Sequence, residues 1–249
     1  MVTRSGSLAT IKVSPGERII VFGDIHGDLR TLEKGLAVRR PRDVVVFLGD
    51  YADRGPDGVE VIEQVETLLD RLPQSVVALK GNHESYSDSG EPLFSPCTLT
   101  HEAEKKRGSW EAYFPHFSRF VDRLSIAAIV PGETLFVHGG IHNSIESAGA
   151  LEDPSASLES EIMWSDPVPH RGLSSSRRGA GHEFGPDISE RVCRNLGVKR
   201  IVRSHEPRKA IDGPASEHDG RVITTSSTTV YHGDAFVLVF DPEMSVVDL

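Results

Sequence analysis

Three runs of consecutive apolar residues, each closed by glycine, organise the first third of the chain. Ile19-Ile20-Val21-Phe22 ends at Gly23, Val44-Val45-Val46-Phe47-Leu48 at Gly49, and Val76-Val77-Ala78-Leu79 at Lys80-Gly81. Apolar runs without alternation mark strands buried on both faces. Between them the apolar positions switch to helical spacing. Leu29, Leu32 and Leu36 follow a capping Asp28; Val59, Ile62, Val65, Leu68/Leu69 and Leu72 lie between Pro56 and Pro73. Pro56 fits the first turn of that second helix. Strands alternating with helices predict an α/β chain with parallel strands at the centre of its sheet. In such sheets ligands gather beyond the carboxyl ends of the strands.

The pattern loosens beyond Glu84. Ser85 to Pro96 reads as a loop, and 101–124 as helix, with Trp110, Phe114, Phe117, Phe120 and Val121 as a core stripe. Pro115 is expected to kink or split that helix, since it lacks the N–H of an interior turn. Further strands are predicted at Leu135-Phe136-Val137, Ile201-Val202, Val222-Ile223 and 236–240. Ser165 to Pro186, rich in Pro, Gly, Ser and Arg, is expected to be one long functional loop. Asp187 should cap a helix through Leu196 that Gly197 ends. His142, His170, His182, His218 and His232 fit no ligand motif and read as solvated loop histidines. Glu60, Glu63 and Glu66 read as a solvated helix face.

Composition narrows the function classes without naming one. The chain has 249 residues, enough to bury a sizeable core, and one domain over 1–249 is the simplest expectation. Asp and Glu number 37 against 27 Lys and Arg, a formal net charge of −10. That balance argues against a nucleic-acid partner and against an anionic membrane surface. No run approaches the ~18 apolar residues of a membrane span. Two cysteines, Cys97 and Cys193, make no disulfide framework, and the polar stretch before Ile19 lacks the apolar core of a signal peptide. A cytoplasmic setting is the expectation.

The chemistry gathers where the strands end. In order these ends read Gly23-Asp24-Ile25-His26-Gly27, Gly49-Asp50-Tyr51-Ala52-Asp53-Arg54-Gly55, Gly81-Asn82-His83-Glu84, His138-Gly139-Gly140 and Arg203-Ser204-His205. Carboxylate, imidazole and amide donors make a mixed oxygen and nitrogen set suited to Mn, Fe or Zn. No cysteine falls among them, which argues against a thiolate-held structural zinc. A single Gly-Asp is an ordinary turn and a single histidine an ordinary residue. The ordered combination is not ordinary.

From Ile19 to Phe240 the sequence resembles the phosphoprotein phosphatases, the metal-dependent serine/threonine protein phosphatases within the metallophosphoesterase superfamily. The strand-end motifs carry the resemblance, with Ser125 to Val130 before His138-Gly139-Gly140, then Trp164-Ser165-Asp166-Pro167, Arg178-Gly179, Phe184-Gly185 and Tyr231. The fold it implies is a β-sandwich of two mixed sheets flanked by helices, with metals at the strand C-terminal ends. Asp24 and His26 then resemble ligands of a first divalent metal ion and Asp50 the carboxylate bridging two. Asn82, His138 and His205 resemble ligands of the second. His83 resembles the general acid and Asp53 its orienting partner, while Arg54, Arg178, Asn82 and Tyr231 resemble the groups that line the phosphate.

The implied activity is hydrolysis of phosphoserine and phosphothreonine monoesters in phosphoprotein substrates, by attack of a metal-bridging water. Phosphotyrosine activity, regulatory subunits and the metal pair stay open. Two other functions compete. Dinucleoside polyphosphate hydrolases of related sequence generally lack an aspartate at the Asp53 position and end the third motif in Asp, where this chain has Glu84. A phosphoprotein-binding pseudophosphatase would have lost a ligand or His83, and neither is lost. The loop Ser226 to Tyr231 departs from the Ser-Ala-Pro-Asn-Tyr-Cys of familiar eukaryotic members, so inhibitor sensitivity does not carry over.

Overall fold

The computed structural model describes residues 1–249. In chain order it begins with β1 (Val2–Ser5), β2 (Leu8–Ile11), β3 (Ile19–Phe22), α1 (Leu29–Ala37), β4 (Val44–Phe47), α2 (Gly58–Arg71) and β5 (Val76–Ala78). It continues through α3 (Leu99–Arg107), α4 (Trp110–Val121), β6 (Ala127–Val130), β7 (Thr134–Val137), α5 (Gly149–Glu152) and α6 (Ala156–Trp164). Then come β8 (Asp166–Pro167), β9 (Leu173–Ser175), β10 (His182–Phe184), α7 (Pro186–Leu196) and β11 (Arg200–Arg203). The chain closes with β12 (Ala215–Glu217), β13 (Val222–Thr224), β14 (Phe236–Asp241) and β15 (Glu243–Asp248). No helix is long and apolar enough to cross a membrane.

Two mixed sheets face each other, as the implied sandwich requires. One runs β15-β14-β3-β4-β5 and the other β1-β2-β6-β7-β11-β13-β12. The apolar runs sit at the parallel centre of the first: Phe22 opposes Phe47, and Phe47 opposes Ala78. Because those strands are covered on both faces, every residue of β3, β4 and β5 is buried. Ile19, Val21, Val44 and Val46 point inward, against Ala128, Phe136, Val202 and Ile223 of the second sheet. Alternate residues Ile20, Phe22, Val45 and Phe47 point outward onto α2 and onto Trp110, Phe117 and Phe120 of α4. A separate outer core packs Ile162, Ile188 and Val192 against the other face of the second sheet.

Parallel pairing sets the site. β3, β4 and β5 run parallel, as do β7 and β11, so five carboxyl ends open toward one rim. Backbone bonds stitch the two sheets together there. Ser227 N–H donates to the Asp24 carbonyl, and His205 N–H donates to Asp24 Oδ1.

Several local expectations need correction. Pro56 lies outside α2, which starts after Asp57; its carbonyl accepts from Lys106 instead. The helical stretch 101–124 is split at Gly108, where φ is +94°, and Ser109 caps the second helix. Pro115 therefore sits inside α4 without ending it. Asp187 is not the cap of α7; Gly185 is, followed by Pro186, and the Asp187 carboxylate accepts from Gly172 N–H. The stretch Ser165 to Pro186 is not all loop, since β8, β10 and β9 form a small sheet of their own. Glu60, Glu63 and Glu66 are not a free face: they pair with Lys106, Arg107 and Arg123. His218 is buried against Ser189 and the Val168 carbonyl, and His182 lies on β10.

The inter-sheet core generates a stability prediction. Phe136 is fully buried between the sheets, whereas Val246 on the edge strand is 43% exposed. Phe136→Ala should cost about 3–5 kcal/mol in urea unfolding, and Val246→Ala less than about 0.5 kcal/mol. Equal losses would place the core elsewhere.

Candidate active site

Every residue singled out at the strand ends arrives at this rim. Asp24 and His26 follow β3, Asp50, Asp53 and Arg54 follow β4, and Asn82 and His83 sit in a short helical turn after β5. His138 follows β7 and His205 follows β11. Tight reversals at strand ends require unusual backbone. His26, Asp50, Asp53, Arg54 and His205 all have positive φ, between +49° and +71°. That region is sparsely used by residues with a side chain, and such strain persists only where the surroundings over-determine it. Close approach also explains Gly81: a Cβ there would fall 2.2 Å from Asp50 Oδ1.

The side chains form a buried cup of acceptors facing acceptors. His26 Nδ1 is 2.9 Å from the Ala52 carbonyl and His138 Nδ1 is 2.8 Å from the Leu48 carbonyl. A carbonyl only accepts, so both Nδ1 atoms carry the ring proton and both Nε2 atoms keep a lone pair. His26 Nε2 then faces Asp24 Oδ2 at 3.9 Å and Asp50 Oδ2 at 3.7 Å. His138 Nε2 faces Asn82 Oδ1 at 3.0 Å, His205 Nδ1 at 3.2 Å and Asp50 Oδ1 at 3.4 Å. Asp24 Oδ2 and His205 Nε2 are buried without any hydrogen-bond partner. Lone pairs converging on one another, with the orphaned Asp24 Oδ2 beside them, are what a cation would satisfy.

Protonation states agree. Burial pushes His26 and His138 down to about 4, against the pull of Asp24, and drives His205 well below its usual value. Neutral imidazole is the form that ligates a metal. Burial, only partly offset by His83, raises the Asp50 carboxyl well above the ordinary carboxylate range, and Asp24 and Glu84 add to the rise. A cation is the natural counter-charge for that group. Asp50 stands in both clusters able to hold a metal here, one with His26 and His83 and one with His138 and His205.

His83 is set apart by its partner. Its Nδ1 lies 2.7 Å from Asp53 Oδ2, and Asp53 Oδ1 accepts from Leu99 N–H at 2.8 Å. Burial would lower the His83 pKa, but Asp50 and Asp53 outweigh it and hold it above the usual value. The same pairing keeps Asp53 low although burial opposes it. His83 is therefore the ring in the cup whose surroundings favour the doubly protonated, charged form. Phe94 packs 4.4 Å from it, centre to centre.

Arg54, Tyr231 and Arg178, expected to line a phosphate, stand around the cup. Arg54 is exposed and donates to the Pro96 carbonyl at 3.2 Å. The Tyr231 ring is 5.7 Å from that of His26, and its phenol is raised by burial while Arg54 lowers it. Arg178 Nε is 2.5 Å from Asp166 Oδ2, and Asp166 Oδ1 is held by the buried Arg203 at 2.8 Å. The neighbouring Arg177 side chain is 96% exposed, so Arg178 is the tethered one.

Sequence reasoning missed part of this arrangement. Glu84 accepts from the N–H groups of Asp50, Tyr51 and Gly81, pinning two strand ends together. Arg203 donates to the Gly139 carbonyl and to Glu206 as well as Asp166. Arg208 lies 5.9 Å over the Tyr231 ring. Glu84 and Arg203 were visible as the outer residues of their motifs; Arg208 carried no local signal. A cavity of about 640 Å³ lies at the opposite strand ends, among Glu17, Ile19, Thr134, Arg200 and Phe240. It holds none of the residues gathered at the rim.

A model of the calcineurin-like phosphoesterases matches residues 17–209. The chain belongs to this family. It is 31% identical over 244 residues to serine/threonine-protein phosphatase T of Schizosaccharomyces pombe, covering 93% of this chain and 50% of that one. It is 32% identical to a protein phosphatase 2A catalytic chain of Dictyostelium discoideum, covering 86% of this chain and 69% of that one. The chain spans about half the length of several such relatives. A protein serine/threonine phosphatase from Saccharomyces cerevisiae has the same fold, with a TM-score of 0.85 at 24% identity, covering 99% of this chain and 84% of that one. Membership among the calcineurin-like phosphoesterases and the converging donors together support divalent-metal binding.

Metal binding should be visible as stability. A divalent ion at 100 times its dissociation constant should add about 2.7 kcal/mol to unfolding, seen as a rise in Tm with manganese. Asp50→Asn should lose most of that rise. A full rise in Asp50→Asn would mean the ion binds elsewhere.

Proposed function

We propose that the chain is a serine/threonine protein phosphatase that hydrolyses phosphomonoesters at a site holding two divalent metal ions. The single observation that carries this reading is the His83–Asp53 pair, an imidazole fixed 2.7 Å from a buried carboxylate beside the metal cup. A serine or threonine alkoxide is a very poor leaving group, so its departure needs an acid placed next to it. The relatives named as serine/threonine phosphatases support the same substrate class.

Asp24, His26 and Asp50 would hold one ion, and Asp50, Asn82, His138 and His205 the other. When bound, such ions supply the Lewis acidity that activates water and neutralises phosphoryl oxygens. The protein supplies the rest. His83 gives its proton to the leaving oxygen while Asp53 fixes the ring and favours its charged form. Arg54 and Arg178 offer planar donors to the remaining phosphoryl oxygens, a geometry suited to bidentate contact. Asp166 and Arg203 keep Arg178 from swinging into solvent. Tyr231 closes the wall beside His26, and Phe94 shields His83 from water.

Dinucleoside polyphosphate hydrolysis is the rival chemistry. Its leaving group is a phosphate, which departs without a strong acid, so the His83–Asp53 pair has less to do there. Phosphotyrosine, whose phenolate leaves more readily than an alkoxide, should depend less on His83 if it is cleaved.

His83→Asn should lower turnover on a phosphoserine peptide by about 10²–10⁴-fold with bound metal retained, whereas loss of metal would recast His83 as a ligand. On metal-loaded protein, phosphoserine and phosphothreonine peptides should be cleaved in preference to diadenosine tetraphosphate. Preference for the dinucleotide would overturn the reading.

A further inference from the structure

Outside the strand-end cup, one more group of side chains has the make-up of a cation site. His142, Glu161 and His182 bring ligand atoms within 4.8 Å of one another. They come from three separate segments: the loop after β7, the last turns of α6, and the first residue of β10. We propose that this His-Glu-His cluster is a second, independent metal site, taking zinc or a similar borderline divalent ion. Two imidazoles and one carboxylate are a donor set that suits zinc, with the fourth position left to water.

The geometry is close to what the ion needs. His182 Nδ1 lies 2.8 Å from Glu161 Oε1. Two ligand atoms each ~2.1 Å from a tetrahedral ion stand about 3.4 Å apart, so this pair opens by roughly half an ångström to admit it. Outer hydrogen bonds already orient the donors. Ser165 Oγ donates to the other Glu161 oxygen at 2.8 Å, and the same hydroxyl accepts from His182 N–H. Ser144 meets His142 Nδ1 twice, its hydroxyl at 2.9 Å and its backbone N–H donating at 3.3 Å, which holds the ring in place. The two rings sit 5.6 Å apart, centre to centre. Burial, with His182 close by, holds His142 below its usual pKa against the pull of Glu161, which favours the neutral ring. Glu161 is buried, while both histidines are partly open to solvent, so an ion has a way in.

The position gives the site a consequence. Arg178 stands four residues before His182, and Ser165, which holds Glu161, directly precedes Asp166, which holds Arg178. Gly179 and Gly181 between them both have positive φ, at +84° and +67°, so this segment is jointed. An ion on His182 fixes the far end of the joint and with it the strap carrying Arg178. The site lies apart from the metal cup and does not depend on the reaction assigned there.

Zinc stoichiometry tests it. Wild type and the double variant His142→Ala/His182→Ala are dialysed to equilibrium against micromolar zinc, and bound metal is measured by mass spectrometry. The double variant should lose one zinc per chain while keeping the wild-type far-UV circular dichroism. Limited trypsin digestion gives a second readout: zinc should slow cleavage after Arg177 in wild type and leave the double variant unchanged. Because the active-site ligands are intact in both proteins, metal in the cup cancels in the comparison. Equal zinc content in two folded proteins would overturn the proposal.

Discussion

The buried meeting of Asp24, Asp50, His26, His138, Asn82 and His205 is the constraint around which the rest of the molecule is arranged. Acceptors face acceptors there, with two polar atoms left without partners. Burying such groups is unfavourable unless a counter-charge joins them. The protein meets that cost with its framework. Two sheets with a shared apolar core hold the five strand ends rigidly enough that positive-φ residues at His26, Asp50, Asp53 and His205 stay in place. Relaxing any one loop would let a carboxylate turn to water and dissolve the cup. The core therefore acts on function directly, by refusing the site its easiest escape.

Around the cup, a ring of buried charges does the positioning. Glu84 gathers three backbone N–H groups from two strand ends, and Arg203 ties the Gly139 carbonyl to Asp166 and Glu206. These contacts link residues far apart in sequence but adjacent in the sandwich. Asp166 is shared between buried Arg203 and half-exposed Arg178, so the exposed arginine borrows its orientation from the fixed one. Hydrogen bonds to charged groups in low-dielectric surroundings are the strong ones, and leaving one partner unpaired is costly. Removing Arg203 would consequently disturb Arg178 without touching it.

How much of this the sequence displayed follows from which interactions are local. The apolar runs before Gly23, Gly49 and Gly81 are complete signals, because a strand covered on both faces needs no alternation. The donor residues sit immediately after those runs, so the cup was legible as soon as the strands were. The resemblance to phosphoprotein phosphatases supplied roles for Arg54, Arg178 and Tyr231 that no local pattern carries. What the sequence hid depends on distant partners. β1 and β2 are short and partly polar and become strands only by pairing with each other and with β6. The helix break at Gly108 rather than Pro115 is by contrast local, set by a glycine of positive φ followed by the Ser109 cap. Asp187 resembles a cap, yet its carboxylate is taken by Gly172, which only the small sheet brings near. His182 looked solvated because Glu161 lies 21 residues earlier.

Net charge shows the same separation of local from global. An excess of ten negative charges would by itself repel a phosphate dianion. Some of the acidity is engaged elsewhere: Glu60, Glu63 and Glu66 on α2 pair with Lys106, Arg107 and Arg123. At the mouth of the cup the balance reverses. Arg54 and Arg208 flank Tyr231 without a carboxylate partner, and divalent ions held in the cup would add positive charge beneath them. Field lines from these groups converge in a cleft with low-dielectric walls, where they weigh more than surface charges screened within about 10 Å at moderate salt. An acidic protein can thus present a cationic site, provided its own carboxylates are either paired on the far helices or committed to the metals. Here Glu60, Glu63 and Glu66 meet the first condition, and the burial of Asp24 and Asp50 in the cup serves the second.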